Sequence, residues 1–308
     1  MLHFDRLEQR SVASRELACF RELRAILGIA RSRAPGLRAQ LKSVAIDQIK
    51  SRADLAHIPV LRAKHMRALQ AEKPPFGGLL ATRMTSLARI ISGADGRLHP
   101  EGRAKDWWGA ARALYAAGFS KNDVVLNPAS CSADIAGQIL ASGIHALGGV
   151  TLCVNPHSPQ DFITRTQANG YIGSLTDLQT LAPMKAQQPF DKAVITGSRL
   201  SAASHSSLSA VSRHIHQMYL RPEIGVVAYQ ATEPDVLICN EGLIVEIVAP
   251  GTDIPLPFGH HGEIVVTRLN GDYPLLRFGT GDLSTLRTGT SPCGRTNYRL
   301  DAQITSAP

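Results

Sequence analysis

No apolar run among these 308 residues reaches the roughly eighteen that a membrane-crossing helix needs. Met1-Leu2-His3-Phe4-Asp5-Arg6 also lacks the apolar core of a signal peptide, so the expectation is a cytoplasmic protein with no membrane partner. Aromatic residues make up only 5 % of the chain, too few to interleave a stacking platform with the basic residues. Nucleic acid is therefore not expected as a partner. Cysteine is scarce: Cys19, Cys131, Cys153, Cys239 and Cys293 are scattered and odd in number, which points to reduced thiols rather than a disulfide framework. The common catalytic signatures are absent as well, with no G-x-S-x-G elbow, no G-x-x-x-x-G-K-[ST] loop, no G-x-G-x-x-G after a strand and no H-E-x-x-H.

What is present is an ordinary globular balance, 44 % apolar and 19 % charged, which excludes a largely disordered chain. The length suits one large domain or two packed ones. Net charge is +8, with much of the excess in the first seventy residues, Arg21, Arg24, Arg31, Arg33, Arg38 and Lys42 among them. A solvated basic helical face is the first reading of that run, and an anionic ligand such as a nucleotide or a CoA-like tail the second.

Three regions follow from the patterning. Residues 1–75 read as a helical region, with Leu17, Phe20, Leu23, Leu27 and Ala30 recurring at three- and four-residue spacing. Residues 76–225 read as an α/β core. Helices are expected over Trp107 to Ala117, Ala133 to Leu147, Pro159 to Asn169 and Ser201 to Ile215, alternating with strands at Asp123 to Asn127, Gly149 to Val154, Tyr171 to Ser174 and Lys192 to Gly197. Such alternation implies βαβ crossovers and a largely parallel sheet flanked by helices. From about Val226 the strands shorten between Gly, Pro and Asp turns, so residues 226–308 read as an antiparallel sheet or small distorted barrel.

Tyr273-Pro274-Leu275-Leu276-Arg277-Phe278-Gly279-Thr280-Gly281-Asp282 is an apolar strand running into a Gly-flanked turn that ends on a carboxylate, well placed to accept hydrogen bonds from a pair of ribose hydroxyls. Gly262-Glu263-Ile264-Val265-Val266-Thr267 lies upstream, across an Asn270-Gly271 hairpin turn. The two segments resemble the P-L-x-R-x-x-T-G-D and G-E-x-x-x-T motifs of adenylate-forming enzymes, in particular the phenylacetate–CoA ligase branch. The resemblance runs from about Phe4 to Arg295 and includes Asp54-Leu55 with Ile58-Pro59 near its start. It implies an adenylation fold, with ATP and Mg²⁺ as cofactors and a small aromatic carboxylic acid as substrate. With 26 residues after Asp282, the chain resembles short members without the mobile C-terminal domain. A downstream acceptor enzyme or carrier is then the expected recipient of an acyl-adenylate.

Residue by residue, Asp282 is the expected ribose ligand and Arg277 a buttress of its turn. Ser92, Gly93, Gly96 and Arg97 stand where the family carries its phosphate loop, although Ala94 and Asp95 replace the central hydroxyl residues. A plain surface turn explains the same stretch. Tyr219 and Glu223 match the family's Y-G-x-T-E-x-G, the Tyr against adenine and the Glu on Mg²⁺, with Leu220 and Pro222 as departures. Thr196-Gly197-Ser198-Arg199 takes the place of an adenine-contacting turn, which makes Gly197 a cofactor-binding candidate. Gly173-Ser174 takes the place of an aryl-substrate strand end, where core packing is an equal explanation. Relatives often carry a zinc site ending in C-x-C-G-R; here Ser291-Pro292-Cys293-Gly294-Arg295 has lost one thiol, and His260-His261 would face opposite ways on a strand, so no zinc is expected. ATP-dependent adenylation of an aromatic or other small carboxylic acid, without autonomous CoA thioester formation, is thus one function implied; a catalytically degenerate protein that binds a nucleotide or aryl acid as a module or scaffold is the other.

Overall fold

A computed structural model describes residues 3–131, 134–154, 159–182, 189–197, 200 and 207–307. Along the chain come α1 (Val12–Arg33), α2 (Pro35–Gln40), β1 (Leu61–Arg62), α3 (Ala63–Glu72), β2 (Arg89–Ser92) and β3 (Leu98–Glu101). Next are α4 (Ala110–Ala116), β4 (Val124–Leu126), α5 (Ile135–Leu147), β5 (Val150–Leu152), α6 (Pro159–Thr166), β6 (Gly170–Ser174), α7 (Leu175–Thr180) and β7 (Phe190–Thr196). The rest is strand: β8 (Ser212–Arg221), β9 (Gly225–Tyr229), β10 (Val236–Cys239), β11 (Leu243–Val248), β12 (His261–Arg268), β13 (Leu275–Arg287), β14 (Arg299–Asp301) and β15 (Thr305–Ser306). The chain forms two compact units. The first takes Met1–Phe4, Ser92–Gly96 and Ala104–Asn240, the second Asp5–Ile91, Arg97–Arg103 and Glu241–Pro308.

In the first unit the strands lie in the order β10-β9-β8-β7-β6-β4-β5. The pairs from β5 across to β8 are parallel, and β8, β9 and β10 pair antiparallel. β6 and β7 are apolar on both faces, as strands of a parallel sheet must be when crossover helices cover them. Leu126, Tyr171, Phe190, Ala193, Ile195 and Ile215 form the centre of that core. Local chemistry sets the helix ends: Asp134 accepts the Ala136 N–H at 2.8 Å to start α5, and Gly148, at φ +87°, closes it.

The expected helix over Ser201 to Ile215 is corrected. Residues 201–206 lie outside the described residues, and Ser212–Arg221 is strand, parallel to β7 from Phe190↔Ser212 to Thr196↔Met218. Ile215 buries in the sheet core and Met218 is buried as well, so tertiary burial overrides a local composition that suited a helix. His214 and His216 accordingly sit on a strand rather than at a helix end. The Trp107 helix starts later than expected, at Ala110: Gly109 takes a left-handed φ of +68°, the Asp106 carboxylate accepts the Ala111 N–H at 3.0 Å, and the Trp108 carbonyl accepts the Val226 N–H at 2.9 Å. The expectation of five reduced thiols is also corrected. Cys131 and Cys153 are disulfide-bonded, with their α-carbons 5.6 Å apart, while Cys19, Cys239 and Cys293 are not in a disulfide.

Gly225 shows how tightly this unit closes. Its φ is +99°, and a Cβ there would sit 2.4 Å from the Trp108 carbonyl oxygen. Gly225→Ala is therefore expected to destabilise the protein by at least about 2 kcal/mol, because backbone strain and a backbone clash coincide. A urea unfolding midpoint unchanged from wild type would contradict this packing.

The second unit is built on the antiparallel sheet β11-β12-β13, with β1 parallel to β13 and β14 and β15 antiparallel to it. Phe20, Leu23, Leu27 and Ala30 of α1 are buried as the periodicity predicts; Leu17 is 72 % exposed and falls off that stripe. Part of the basic excess is spent on internal structure instead of a solvated face. Arg31 and Arg38 donate to backbone carbonyls that follow or end α1. Arg52 pairs with Glu16 at 2.8 Å and stacks 4.4 Å from the Tyr298 ring centroid. Arg15 is held by Glu241, Asn297 and the Thr296 carbonyl. Arg295 and Glu8 form a fully buried pair at 3.2 Å. Among the described residues no helix is long and apolar enough to cross a membrane.

Candidate functional site

In open α/β sheets, ligands gather outside the carboxyl ends of parallel strands. At that end of the first unit the parallel register closes at Thr196↔Met218, with Gly197 next after β7 and Tyr219 next along β8. Gly197 has φ +78°, a Cβ there would meet nothing within 4 Å, and the residue is exposed. Tyr219 is 8 % exposed and pairs with Ala228. Ser198 and Arg199, the rest of the expected adenine turn, lie outside the described residues. Four residues beyond Tyr219, in the turn from β8 to β9, Glu223 is 2 % exposed, with its Oε2 3.7 Å from Arg221 Nε. Sequence reasoning missed Arg221, because the burial of Glu223 that makes the pairing notable is not readable from spacing.

The Gly173-Ser174 strand end does not offer open space for a flat acid. The Tyr171 ring fills it: a Cβ on Gly173 would lie 2.6 Å from the Tyr171 hydroxyl, which donates to the Ser174 carbonyl at 2.9 Å. Ser174 itself caps α7 by accepting the Asp177 N–H at 3.0 Å. Core packing and helix capping account for both residues.

The Ser92–Arg97 stretch is the tip between β2 and β3. The Gly96 N–H donates to the Gly93 carbonyl at 3.0 Å and closes a β-turn, with Gly96 at φ +78°. Ser92, Asp95 and Gly96 are exposed, and Arg97 is half-buried. In this conformation the turn uses one N–H that a phosphate cradle would otherwise offer, while the Ser92 hydroxyl lies 3.4 Å from the Gly93 carbonyl.

In the second unit the two motif segments prove to be each other's hydrogen-bond partners. Arg277 N–H donates to Thr267 Oγ1 at 3.0 Å. Thr280 Oγ1 donates to the Ile264 carbonyl at 2.9 Å and accepts the Asp282 N–H at 3.1 Å. Glu263 accepts the Gly281 N–H at 3.3 Å and pairs with Arg62 at 2.6 Å. Its carboxylate lies over Gly279, where a Cβ would be 2.6 Å from Oε1. Arg277, 0 % exposed and at φ +44°, spans to Glu246 at 3.2 Å and to the carbonyls of Ile58 and Asp253, which ties β13 to β11 rather than to the 279–282 stretch.

The expected turn at Asp282 is corrected: Leu275–Arg287 is one strand, kinked at Gly281 (φ +72°), and Asp282 lies within it. Pairing with β15 keeps that stretch extended and sets Asp282 opposite Ser306, whose hydroxyl is 3.4 Å from Asp282 Oδ1. Asp282 is 9 % exposed. This unit also holds an open cleft of about 660 Å³ lined by Pro59, Leu61, Arg62, Lys64 and His65, which includes none of the site residues named from sequence. Among the described residues no group of three or more His, Cys, Asp or Glu side chains could hold a metal ion. A Mg²⁺ ion carried by a triphosphate asks less of a protein, one or two carboxylates beside phosphate oxygens, and Glu223 fits that donor chemistry.

No family model matches the chain. A stretch of 64 residues is 42 % identical to phenylacetate-coenzyme A ligase of Thermus thermophilus; it amounts to 20 % of this chain and 14 % of that ligase. The open conformation of 2-hydroxyisobutyryl-CoA ligase, in complex with 2-HIB-AMP and CoA, matches 98 % of this chain and 77 % of its own with a TM-score of 0.87 at 20 % identity. The chain has the adenylate-forming fold. ATP-bound MatB from Rhodopseudomonas palustris is more distant, with a TM-score of 0.52 over 74 % of this chain and 49 % of that one at 18 % identity. Glu263 and Thr267 brace the strand carrying Asp282 through the Gly281 and Arg277 N–H groups.

Proposed function

We propose that this protein uses ATP to activate a small carboxylic acid, of the aromatic class, as its acyl-adenylate. The observation that carries this reading is the interlock of the two motif segments, in which Glu263, Thr267 and Thr280 hold the backbone on either side of Asp282. The likeness to a ligase solved with an acyl-AMP supports it. Asp282 would accept hydrogen bonds from the ribose hydroxyls. Tyr219 would lie against adenine beside the Gly197 turn. The Ser92, Gly93 and Gly96 backbone with the Arg97 cation would grip the phosphates.

In the reaction the acid's carboxylate attacks the α-phosphorus of ATP and pyrophosphate departs, leaving a mixed anhydride whose AMP is a far better leaving group than hydroxide. Mg²⁺, held with the phosphates by Glu223, would neutralise charge on the departing pyrophosphate. The adenylate then passes to a downstream acceptor enzyme or carrier.

A second reading is favoured by the phosphate-loop tip, where Asp95 puts negative charge beside the phosphate position and the Gly96 N–H is already used. On that reading the protein is a module that binds a nucleotide or aryl acid without turning it over. Incubation with ATP, Mg²⁺ and a panel of small aromatic acids decides between them. Acid-dependent exchange of labelled pyrophosphate into ATP, lost in Asp282→Ala, is the result expected of adenylation. Absence of exchange with every acid, alongside calorimetric binding of AMP, would establish the binding module.

A further inference from the structure

Two thiols that sequence spacing left unpaired meet at the carboxyl end of the parallel sheet. Cys131 closes the 3₁₀ turn Pro128–Cys131 that follows β4, and Cys153 directly follows β5. β5 ends the strand order, so the bond clips together the two outermost strand-end segments on the rim where Gly197 and Tyr219 also lie. Both residues are exposed. Cys19 and Cys239 are buried, and burial first of all pushes the Cys19 thiol up to about 11, leaving it inert.

The neighbourhood is held without the bond. β4 and β5 pair at Val124↔Val150, Val125↔Thr151 and Leu126↔Leu152, and the Asn127 N–H extends that ladder to the Leu152 carbonyl at 3.0 Å. The fully buried Asn127 fixes the 3₁₀ turn: its Nδ2 donates to the Gly137 carbonyl at 2.8 Å and its Oδ1 accepts the Ser130 N–H at 3.2 Å. A reduced chain therefore keeps both sulfurs in the same neighbourhood. An exposed pair, pre-positioned by hydrogen bonds that do not depend on it, is the arrangement that thiol–disulfide exchange requires.

We propose that Cys131 and Cys153 form a reversible thiol–disulfide exchange site on this rim of the sheet in the folded protein, with a low-molecular-weight thiol of the glutathione class as co-reactant. A glutathione thiolate attacks one sulfur, forms a mixed disulfide and expels the other cysteine as thiolate. A second glutathione then attacks the mixed disulfide, releasing the second cysteine thiolate and glutathione disulfide. Two electrons pass from two glutathiones to the protein bond, two protons end on the cysteines, and the reverse reaction closes the bond.

The test equilibrates the native protein in glutathione buffers from reducing to oxidising, quenches with an alkylating reagent and maps the labelled peptides, with circular dichroism reporting the fold. Cys131 and Cys153 should gain and lose label together across the series, with Cys19 and Cys239 unlabelled and the dichroism constant. In Cys131→Ser, Cys153 should instead be recovered as its glutathione adduct in oxidising buffer. A bond that opens only in denaturant, or cysteines labelled equally in every buffer, would overturn the proposal. Neither readout requires nucleotide or acid, so the result stands apart from that of the adenylation assay.

Discussion

Asp282→Ala is expected to weaken AMP binding by about a hundredfold and to abolish acid-dependent pyrophosphate exchange. A hydrogen bond to a charged group contributes about 1.5–3 kcal/mol, and each 1.4 kcal/mol is a factor of ten in affinity. Loss of a carboxylate that takes two ribose hydroxyls, partly offset by water filling the gap, comes to about 2.8 kcal/mol. Asp282→Asn keeps an acceptor and the strand packing but loses the charge, and should fall between the two, down by about tenfold. Isothermal titration with AMP reads each step. Fold is not the confounder here, since the backbone bond from Asp282 N–H to Thr280 Oγ1 survives both substitutions. An unchanged affinity in Asp282→Ala would remove Asp282 from the nucleotide site.

The second large effect is on stability. Arg277→Ala should cost about 3–5 kcal/mol, because it leaves the Glu246 carboxylate buried without its cation and also removes donors from the Ile58 and Asp253 carbonyls. Against a total of about 5–15 kcal/mol for a typical domain, that is a large share. The loss should depend on pH, with a definite sign. Burial raises the Glu246 carboxyl above its ordinary value, opposed chiefly by Arg277. Without Arg277 the folded-state value rises further. Protonation then relieves the buried charge, so the deficit against wild type should shrink as pH falls through that raised value and be full at neutral pH. Replacing the pair together, as Arg277→Met with Glu246→Gln, should recover part of the loss. Urea unfolding at two pH values checks this; a deficit that grows on acidification would contradict the assignment of Glu246 as the stranded partner.

The parts of the fold legible in sequence were those encoded by short-range pattern. Alternation of strands and helices gave the parallel sheet, because β6 and β7 carry their apolar residues on both faces and the intervening helices end at Gly118 and Gly148. The motif pair around Asp282 was legible for a physical reason: Glu263, Thr267 and Thr280 make bonds specific to their side chains, so the residue types cannot drift without loosening the strand. Partnerships across long separations were not legible. Nothing local announces that Arg15 meets Glu241 and Asn297, that Arg295 is buried against Glu8, or that parallel pairing of β4 and β5 carries Cys131 to Cys153. The Ser212–Arg221 strand failed for a related cause, since its partner β7, and not its own composition, decides its conformation. At the candidate site the residue types were readable, whereas the turn bond at Gly96, the Arg221–Glu223 pair and the strand position of Asp282 depend on packing that spacing does not encode.

Titration of the wild-type protein with AMP and with 2′,3′-dideoxy-AMP tests the ribose assignment most directly. The two ligands share base and phosphate and differ only in the hydroxyls assigned to Asp282. AMP should bind more tightly by about ten- to a hundredfold, from one or two charge-assisted hydrogen bonds, and that preference should vanish in Asp282→Ala. Equal affinity for both ligands, or binding of neither, would contradict the reading of this chain as a protein that holds an adenine nucleotide by its ribose.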